Sequence, residues 1–368
     1  MNSRHFRRVA HYAEIVPEGL LIGTPERPLL LNGTGRRIWD ALEYATSIAE
    51  LADLLAADFA VSPDVAQQEA EGFVTKMCDA GLVTAALRSD PMRDRYFALL
   101  KRSLVNLIYA DNEQRLWRLF DGKGQPPEQW PSHAEFRDLR YDDAESYARL
   151  VAAKQVGHVV HRQPGRYAHT MVGLHGLTHV ERLVEHVFEA EVPGDFVDAG
   201  VWRGGCGVLM RAMQRAFGQA DRRLWVADSF AGVPVASAEP DLRMNIDLSE
   251  AAYPWMSASI QSVRDTFAAY DLLDPDVRFL PGLFADTLPR APIAAIALLR
   301  IDGDLYTSTM DCLAALYDRV SVGGYVIVDD YGAFSACREA VDGFRAARGI
   351  TEPLVHANWT IVHWRKDG

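Results

Sequence analysis

From residue 170 onward, short apolar runs alternate with stretches in which apolar residues recur at helical spacing. This alternation is typical of parallel strands joined by crossover helices, so it predicts a doubly wound α/β sheet. We predict strands at 195–199, 223–228, 277–280, 296–301 and 325–328, and two closing strands at 354–356 and 360–364. Ligands of such a sheet bind beyond the carboxyl ends of the strands, so residues there are the first candidates for function.

Acidic side chains follow two of these strands. Asp302 and Asp304 come after the strand at 296–301, and Asp329 and Asp330 follow the next strand along the chain. Uncompensated charge beside a buried strand is costly, so packing alone does not explain these carboxylates. Hard carboxylate oxygens are ligands that Mg²⁺ prefers, which predicts a divalent cation and a reaction at this edge of the sheet. Helix capping and surface ion pairs are the alternative interpretation.

A glycine-rich turn follows the first strand, with Gly200, Gly204 and Gly205 after Asp198. Small residues let the backbone approach a ligand, and the amino terminus of the following helix favours negative charge. The second strand ends at Asp228, where an acidic side chain can accept hydrogen bonds from both hydroxyls of a ribose. The two acids and the turn between them predict a site for a nucleoside-containing cofactor.

Residues 93–368 resemble the macrocin O-methyltransferase (TylF-like) family, which uses S-adenosylmethionine to methylate sugar hydroxyls of natural products. The resemblance rests on five motifs in the family's order, at 194–205, 226–234, 277–289, 299–311 and 323–332. It implies a Rossmann-like doubly wound methyltransferase sheet.

The resemblance also implies which residues bind the cofactor. Its methionine part would be bordered by Asp198, Gly200, Arg203, Gly204 and Gly205, its ribose by Asp228, and its adenine by Ser229, Phe230, Gly282 and Asp286. Thr170 and Met171, ahead of the sheet, match a segment that lies over the cofactor. The family usually has Glu at the position of Asp198, and the shorter side chain makes a water-mediated contact possible there.

By the same resemblance, Asp302, Asp329 and Asp330 would bind Mg²⁺ and Asp304 would be the general base. A sugar hydroxyl has a high pKa, so metal coordination and a nearby base would lower the cost of forming the nucleophile that attacks the sulfonium methyl. Arg300 precedes this set; it either pairs with a metal carboxylate or supports it.

Residues 10–86 have the signals of a second, smaller unit. A strand pair is predicted to precede three helices, at 33–44, 47–59 and 62–81, and a short strand at 82–84. The unit resembles the PqqD-like domain that guides modifying enzymes to ribosomal precursor peptides, on matches at 29–39, 48–55 and 73–83. The resemblance implies that a leader peptide adds as a strand to its small sheet. A stabilising appendage without a ligand is the alternative.

We therefore predict two domains. Residues 1–88 would form a winged-helix-like α+β leader-recognition domain, and residues 89–368 the methyltransferase, with a helical lead-in at 93–190 and the Rossmann-like core at 194–368. The family tends to self-associate, which implies a homodimer. The segments 121–142 and 234–256 are candidates for a lid or a dimer contact.

Charge and cysteine usage predict the partners and the compartment. The net charge of -12 offers no basic face for nucleic acid or an anionic membrane. The amino terminus is not followed by a signal-type apolar stretch, and no apolar run is long enough to span a bilayer. The four cysteines lack metal-type spacing and fit free thiols in a reducing compartment. A cytoplasmic protein with no nucleic-acid or membrane partner is predicted.

The fusion of the two units favours an O-methyltransferase that acts on a ribosomal precursor peptide, at a hydroxyl or a carboxylate. A carboxylate acceptor needs no base, so an intact Asp304 favours a hydroxyl. One alternative is a sugar O-methyltransferase of a glycosylated natural product. Another is a non-catalytic leader-binding scaffold.

Overall fold

The computed structural model describes residues 5–8, 13–16, 19–24, 27–42, 46–80, 82–86, 90–113, 144–156 and 168–368. The predicted irregular segment 121–142 lies outside these ranges. Within them, two three-stranded sheets form in the amino-terminal part and a seven-stranded sheet in the carboxyl-terminal part. None of the described helices combines the length and the apolar composition needed to cross a bilayer.

The amino-terminal part packs three helices with its two small antiparallel sheets. Its elements are β1 (His5–Arg8), β2 (Ala13–Val16), β3 (Gly19–Thr24), β4 (Arg27–Leu31), α1 (Gly33–Ala41), β5 (Thr46–Ser47), α2 (Ile48–Phe59), α3 (Pro63–Asp79) and β6 (Val83–Ala86). Strand β1 lies between β5 and β6. The capping box predicted at the start of α2 is present, because Ser47 accepts from the backbone of Glu50 while the Glu50 carboxylate accepts from the backbone of Ser47.

The carboxyl-terminal part is a parallel sheet covered by helices on both faces. Its helices are α4 (Pro91–Leu104), α5 (Ala144–Val156), α6 (Gly173–Glu189), α7 (Gly205–Ala216), α8 (Glu239–Arg243), α9 (Ile260–Ala269), α10 (Phe284–Thr287), α11 (Tyr306–Leu316) and α12 (Ser335–Arg348). Its strands are β7 (Asp195–Ala199), β8 (Leu224–Asp228), β9 (Val277–Pro281), β10 (Ile296–Ile301), β11 (Val320–Val328), β12 (Val355–His356) and β13 (Val362–Arg365).

The strand order is β12-β13-β11-β10-β7-β8-β9, and β7 to β11 run parallel while β13 runs antiparallel to β11. Helices α4, α6, α7 and α9 contribute to the apolar core on one face, and α11 and α12 to the core on the other. All six side chains of β10 are buried, as expected for a central parallel strand. The predicted doubly wound sheet is confirmed.

The two parts meet at helix α6 and at the sheet edge. Arg7 of β1 donates two hydrogen bonds to the Glu185 carboxylate of α6, at 3.0 and 2.8 Å. Both side chains are buried. Val355 of β12 packs in the apolar core of the amino-terminal part. The amino-terminal part is therefore joined to the seven-stranded sheet and helix α6 by a buried ion pair and by shared apolar packing.

Two buried histidines tie α6 to the sheet and make the fold sensitive to acid. The Nε2 atom of His179 lies 2.9 Å from Nδ1 of His363 on β13. Burial lowers the pKa of His363 to about 3 and holds the pKa of His179 well below its ordinary value. Both rings are therefore neutral in the folded protein at neutral pH.

Acidification is expected to destabilise the protein through this pair. Below pH 6.5 the unfolded chain binds protons at both histidines that the native protein does not bind, so the free energy of unfolding should fall. The slope is at most about 1.4 kcal/mol per pH unit for each histidine. Urea titrations between pH 5 and 7 measure it for the wild type and for His363→Gln. A variant slope equal to that of the wild type would contradict the prediction.

Candidate active site

A cavity of about 1170 Å³ lies beyond the carboxyl ends of the parallel strands. Its wall includes the residues that follow β7, β8, β9 and β10, and much of the segment 232–256. Typical ligand pockets span roughly 300–1,000 Å³. This cavity is therefore large enough for a cofactor and an acceptor side by side.

The predicted site residues divide into two groups. Eight of them line the cavity: Thr170, Met171, Gly200, Asp228, Ser229, Gly282, Asp302 and Asp304. The other eight are not part of its lining: Asp198, Arg203, Gly204, Gly205, Phe230, Asp286, Asp329 and Asp330. The contacts of the second group show how several of its members support the first.

The glycines after β7 let three backbone segments approach closely. Gly200 has a φ of +85°, and a Cβ atom there would lie 1.7 Å from the carbonyl oxygen of Asp302. The N–H of Gly205 donates to the carbonyl of His169 at 2.8 Å, and a Cβ on Gly205 would lie 2.5 Å from that oxygen. These two glycines are needed because backbone segments pack against them.

The Asp228 carboxylate is held by backbone amides. It accepts from the N–H groups of Val201 at 2.8 Å, Trp202 at 3.3 Å and Phe230 at 2.8 Å. Burial raises the pKa of Asp228, and these hydrogen bonds oppose the rise. The carboxylate therefore joins the turns after β7 and β8 and is held in one orientation at the cavity wall.

Arg203 holds the lead-in segment against the glycine-rich turn. Its Nη1 atom donates to the carbonyl of Ala168 at 3.0 Å, and its guanidinium lies 4.3 Å from the centre of the Trp202 ring. The guanidinium of Arg203 is thus engaged with the backbone of Ala168 and with the Trp202 ring. These contacts support the wall of the cavity.

Arg300 of β10 contacts three carboxylates in the interior. It reaches Asp198 at 2.8 Å and both Asp302 and Asp329 at 2.5 Å. Of the two roles considered from the sequence, the structure therefore shows pairing with the predicted metal carboxylates. Asp198 is fully buried behind the cavity wall, and burial raises its pKa to about 6 although Arg300 opposes the rise.

Three carboxylates meet where β10 and β11 end. Asp302, Asp329 and Asp330 each offer an oxygen within 4.8 Å of those of the other two. Burial raises the pKa of Asp330 well above its ordinary value, and the neighbouring carboxylates raise it further. One oxygen of Asp330 is buried without a hydrogen-bond partner among the described residues. The donor set and its excess negative charge fit a divalent cation.

Asp304 is joined directly to this cluster. Its backbone N–H donates to the Asp330 carboxylate at 2.9 Å, and its side chain lines the cavity. Its φ is +57°, a conformation that is unfavourable for a residue with a Cβ atom and that clusters at functional sites. The hydrogen bond to Asp330 helps to hold this conformation.

Asp241 belongs to the site but was not identified from the sequence. It lies in α8, and its buried carboxylate accepts from the backbone of Tyr306 at 2.6 Å and of Thr307 at 3.3 Å. Asp241 thereby caps helix α11, directly after Asp304. Its partners are more than 60 residues away along the chain, so no local pattern indicates the contact. The segment 234–256 is thus fastened to the acidic turn and forms a wall of the cavity.

Comparisons with known proteins agree with this geometry. A family model described as "Macrocin-O-methyltransferase (TylF)" matches residues 93–366, and one described as "Coenzyme PQQ synthesis protein D (PqqD)" matches residues 24–83. The solved structure of the O-methyltransferase NovP is 37% identical, covers 75% of this chain and 99% of its own, and has a TM-score of 0.59.

Two curated relatives are also similar. The 8-demethyl-8-(2,3-dimethoxy-alpha-L-rhamnosyl)-tetracenomycin-C 4'-O-methyltransferase of Streptomyces olivaceus is 40% identical, over 75% of this chain and 94% of the relative. The demethyldecarbamoylnovobiocin O-methyltransferase of Streptomyces niveus is 48% identical, over 54% of this chain and 76% of the relative.

The motifs predicted from the sequence, the parallel sheet and the match over 93–366 all point to one family. The chain belongs to the macrocin O-methyltransferase family of S-adenosylmethionine-dependent enzymes, with a PqqD domain joined to its amino-terminal side.

Proposed function

We propose that the protein transfers the methyl group of S-adenosylmethionine to a sugar hydroxyl of a glycosylated natural product, and that Mg²⁺ is required. The observation that carries the proposal is the cluster of Asp302, Asp329 and Asp330 beside Asp304, at the edge of a cavity that has room for both substrates. The activities of the relatives, one of which acts on a rhamnosyl compound, favour a sugar over the peptide acceptor that the domain fusion suggested.

The three clustered carboxylates would hold the metal ion. When bound, Mg²⁺ would lower the pKa of an acceptor hydroxyl at its open coordination positions. Arg300 pairs with one oxygen of Asp302 and one of Asp329, which orients both carboxylates and offsets part of their mutual repulsion.

Asp304 takes up the proton of the acceptor hydroxyl while the oxygen of that hydroxyl attacks the sulfonium methyl. The C–O bond forms as the S–C bond breaks, and S-adenosylhomocysteine leaves. Displacement requires the oxygen, the methyl carbon and the sulfur to lie in line, so the protein contributes mainly by holding the two substrates in that orientation. The Asp228 carboxylate and the turn at Gly200 form a rigid wall on the side of the cavity where the cofactor would bind.

A peptide acceptor is the second candidate, favoured by the PqqD domain. The hairpin of β12 and β13 adds a structural reason. Val355 packs in the core of the amino-terminal domain, whereas Trp359, four residues further on, lines the cavity. A peptide bound by that domain would therefore be presented close to the reacting groups.

In the test, the full chain is incubated with S-adenosylmethionine, Mg²⁺ and either a sugar acceptor or a peptide acceptor. We expect 4-methylumbelliferyl α-L-rhamnoside to gain one methyl group, detected by mass spectrometry, and we expect EDTA to stop the reaction until Mg²⁺ is restored. If the methyl group is transferred only to a precursor peptide encoded beside the gene, the acceptor is a peptide and the sugar proposal is wrong. Full activity in EDTA would overturn the metal requirement.

A further inference from the structure

The charges that line the cavity are strongly one-sided. Among the described lining residues, the acids are Asp228, Asp302, Asp304 and Asp311, whereas Lys154 of α5 is the one cation. S-adenosylmethionine carries a carboxylate on its methionine end, and a cationic partner would stabilise this anion in a largely acidic cavity.

Lys154 is held in the wall by a buried ion pair. Its Nζ atom donates to the Glu113 carboxylate at 2.6 Å and to the carbonyl of Val105 at 2.9 Å. Asn106 donates to the same Glu113 oxygen at 2.8 Å. An ammonium group has three N–H donors, so one remains after the two contacts that the described residues make. The other Glu113 oxygen is buried with no hydrogen-bond partner among those residues.

Hydrogen bonds connect this pair to the glycine-rich turn where the methionine end is expected. Leu104, next to Val105, accepts from the backbone of His169 at 2.7 Å, and His169 accepts from Gly205 at 2.8 Å. Thr170, beside His169, lines the cavity together with Lys154.

Two other groups expected to receive the cofactor carboxylate are already engaged. The first N–H of helix α7, on Gly205, donates to His169, and Arg203 contacts Ala168 and the Trp202 ring without lining the cavity. Among the described cationic side chains, Lys154 is the one that lines the cavity.

The Lys154–Glu113 pair is costly to bury. A buried ion pair seldom stabilises a fold more than apolar side chains of similar volume, because both charges lose their hydration. Burial lowers the pKa of Lys154, and the Glu113 carboxylate opposes that shift. Glu113 thus favours the charged form of the ammonium at the wall of a ligand cavity.

We propose that Lys154 binds the α-carboxylate of S-adenosylmethionine and that Glu113 positions Lys154 for this contact. The inference rests on the methyl donor that the family uses, and it is independent of the acceptor and of the metal ion. Its test measures cofactor binding alone, so its failure is distinguishable from a failure of the proposed methyl transfer.

The test compares S-adenosylmethionine with decarboxylated S-adenosylmethionine, which differs only by loss of the carboxylate, in calorimetric titrations without acceptor. We expect the wild type to bind the complete cofactor at least about tenfold more tightly, as a charge-assisted contact in a partly buried site would give. Lys154→Met should remove most of this preference by weakening only the complete cofactor, and Lys154→Arg should retain part of it.

Lys101→Met is the matched control. Lys101 forms a similar buried pair with Glu181 but does not line the cavity, so its loss should leave the affinity ratio unchanged. Equal weakening of both cofactors in Lys154→Met would indicate a structural role and overturn the proposal. If that variant does not fold, Lys154→Gln gives the same comparison. Equal affinity of the wild type for the two cofactors would refute the proposal directly.

Discussion

Asp304→Asn is expected to lower kcat for methyl transfer by about a hundredfold to ten-thousandfold, the range typical of losing a general base. Asn cannot take up the proton of the acceptor hydroxyl. It keeps the size of the side chain and tolerates the φ of +57° at this position better than most residues. The backbone hydrogen bond to Asp330 does not depend on the side chain, so the metal cluster should remain in place.

The measurement combines steady-state kinetics with calorimetric titration of S-adenosylmethionine, whose affinity should stay within about twofold because Asp304 acts on the acceptor. Asp318→Asn is the control, because Asp318 is exposed and pairs with Arg348. An unchanged kcat in Asp304→Asn would exclude a general-base role and favour an acceptor that needs no base, such as a carboxylate.

Gly200→Ala is expected to lower the free energy of unfolding by about 3 kcal/mol or more, because it combines two separate costs. The residue has a φ of +85°, which strains any side chain, and the new Cβ atom would lie 1.7 Å from the carbonyl oxygen of Asp302. That oxygen belongs to the backbone, so it cannot move away without displacing the acidic turn. Cofactor binding should therefore be lost together with stability.

Gly218→Ala separates the two costs. Gly218 has a φ of +70°, but a Cβ atom there would meet no atom within 4 Å. Only the conformational cost of about 1–2 kcal/mol then applies. Urea denaturation of both variants measures the difference. Equal losses would show that the close approach between Gly200 and Asp302 contributes nothing to stability.

The sheet was predictable because its signals are local. The central strands β7, β8 and β10 are short, mostly apolar runs of the length expected for buried strands, and they fall within one residue of their predicted bounds. β1 was not predicted. Two of its four residues are arginines, and any alternation of apolar and polar side chains over four residues is too short to be recognised as a strand. β1 forms because β5 and β6 both pair with it.

The acidic cluster was predictable for a topological reason. Ile301 pairs with Val328 in the parallel register of β10 and β11, so the residues that follow them emerge side by side. Asp302 and Asp329 therefore meet even though 26 residues separate them. The positions of Asp198 and Arg203 relative to the cavity depend on packing behind the strands, which no motif describes.

By itself, the sequence determined the central parallel strands, the family and the acids at the strand ends, because apolar periodicity and neighbouring parallel strands follow from local pattern and topology. Only the tertiary structure decided that Arg300 joins three carboxylates, that Asp241 caps α11 and that Lys154 is the cation of the cavity wall. Apart from the pairing of Arg300 with Asp302, these contacts join segments that are distant in the chain. Side chains meet in this way only once helices pack in particular directions, and those directions are set by the whole core rather than by the residues that meet.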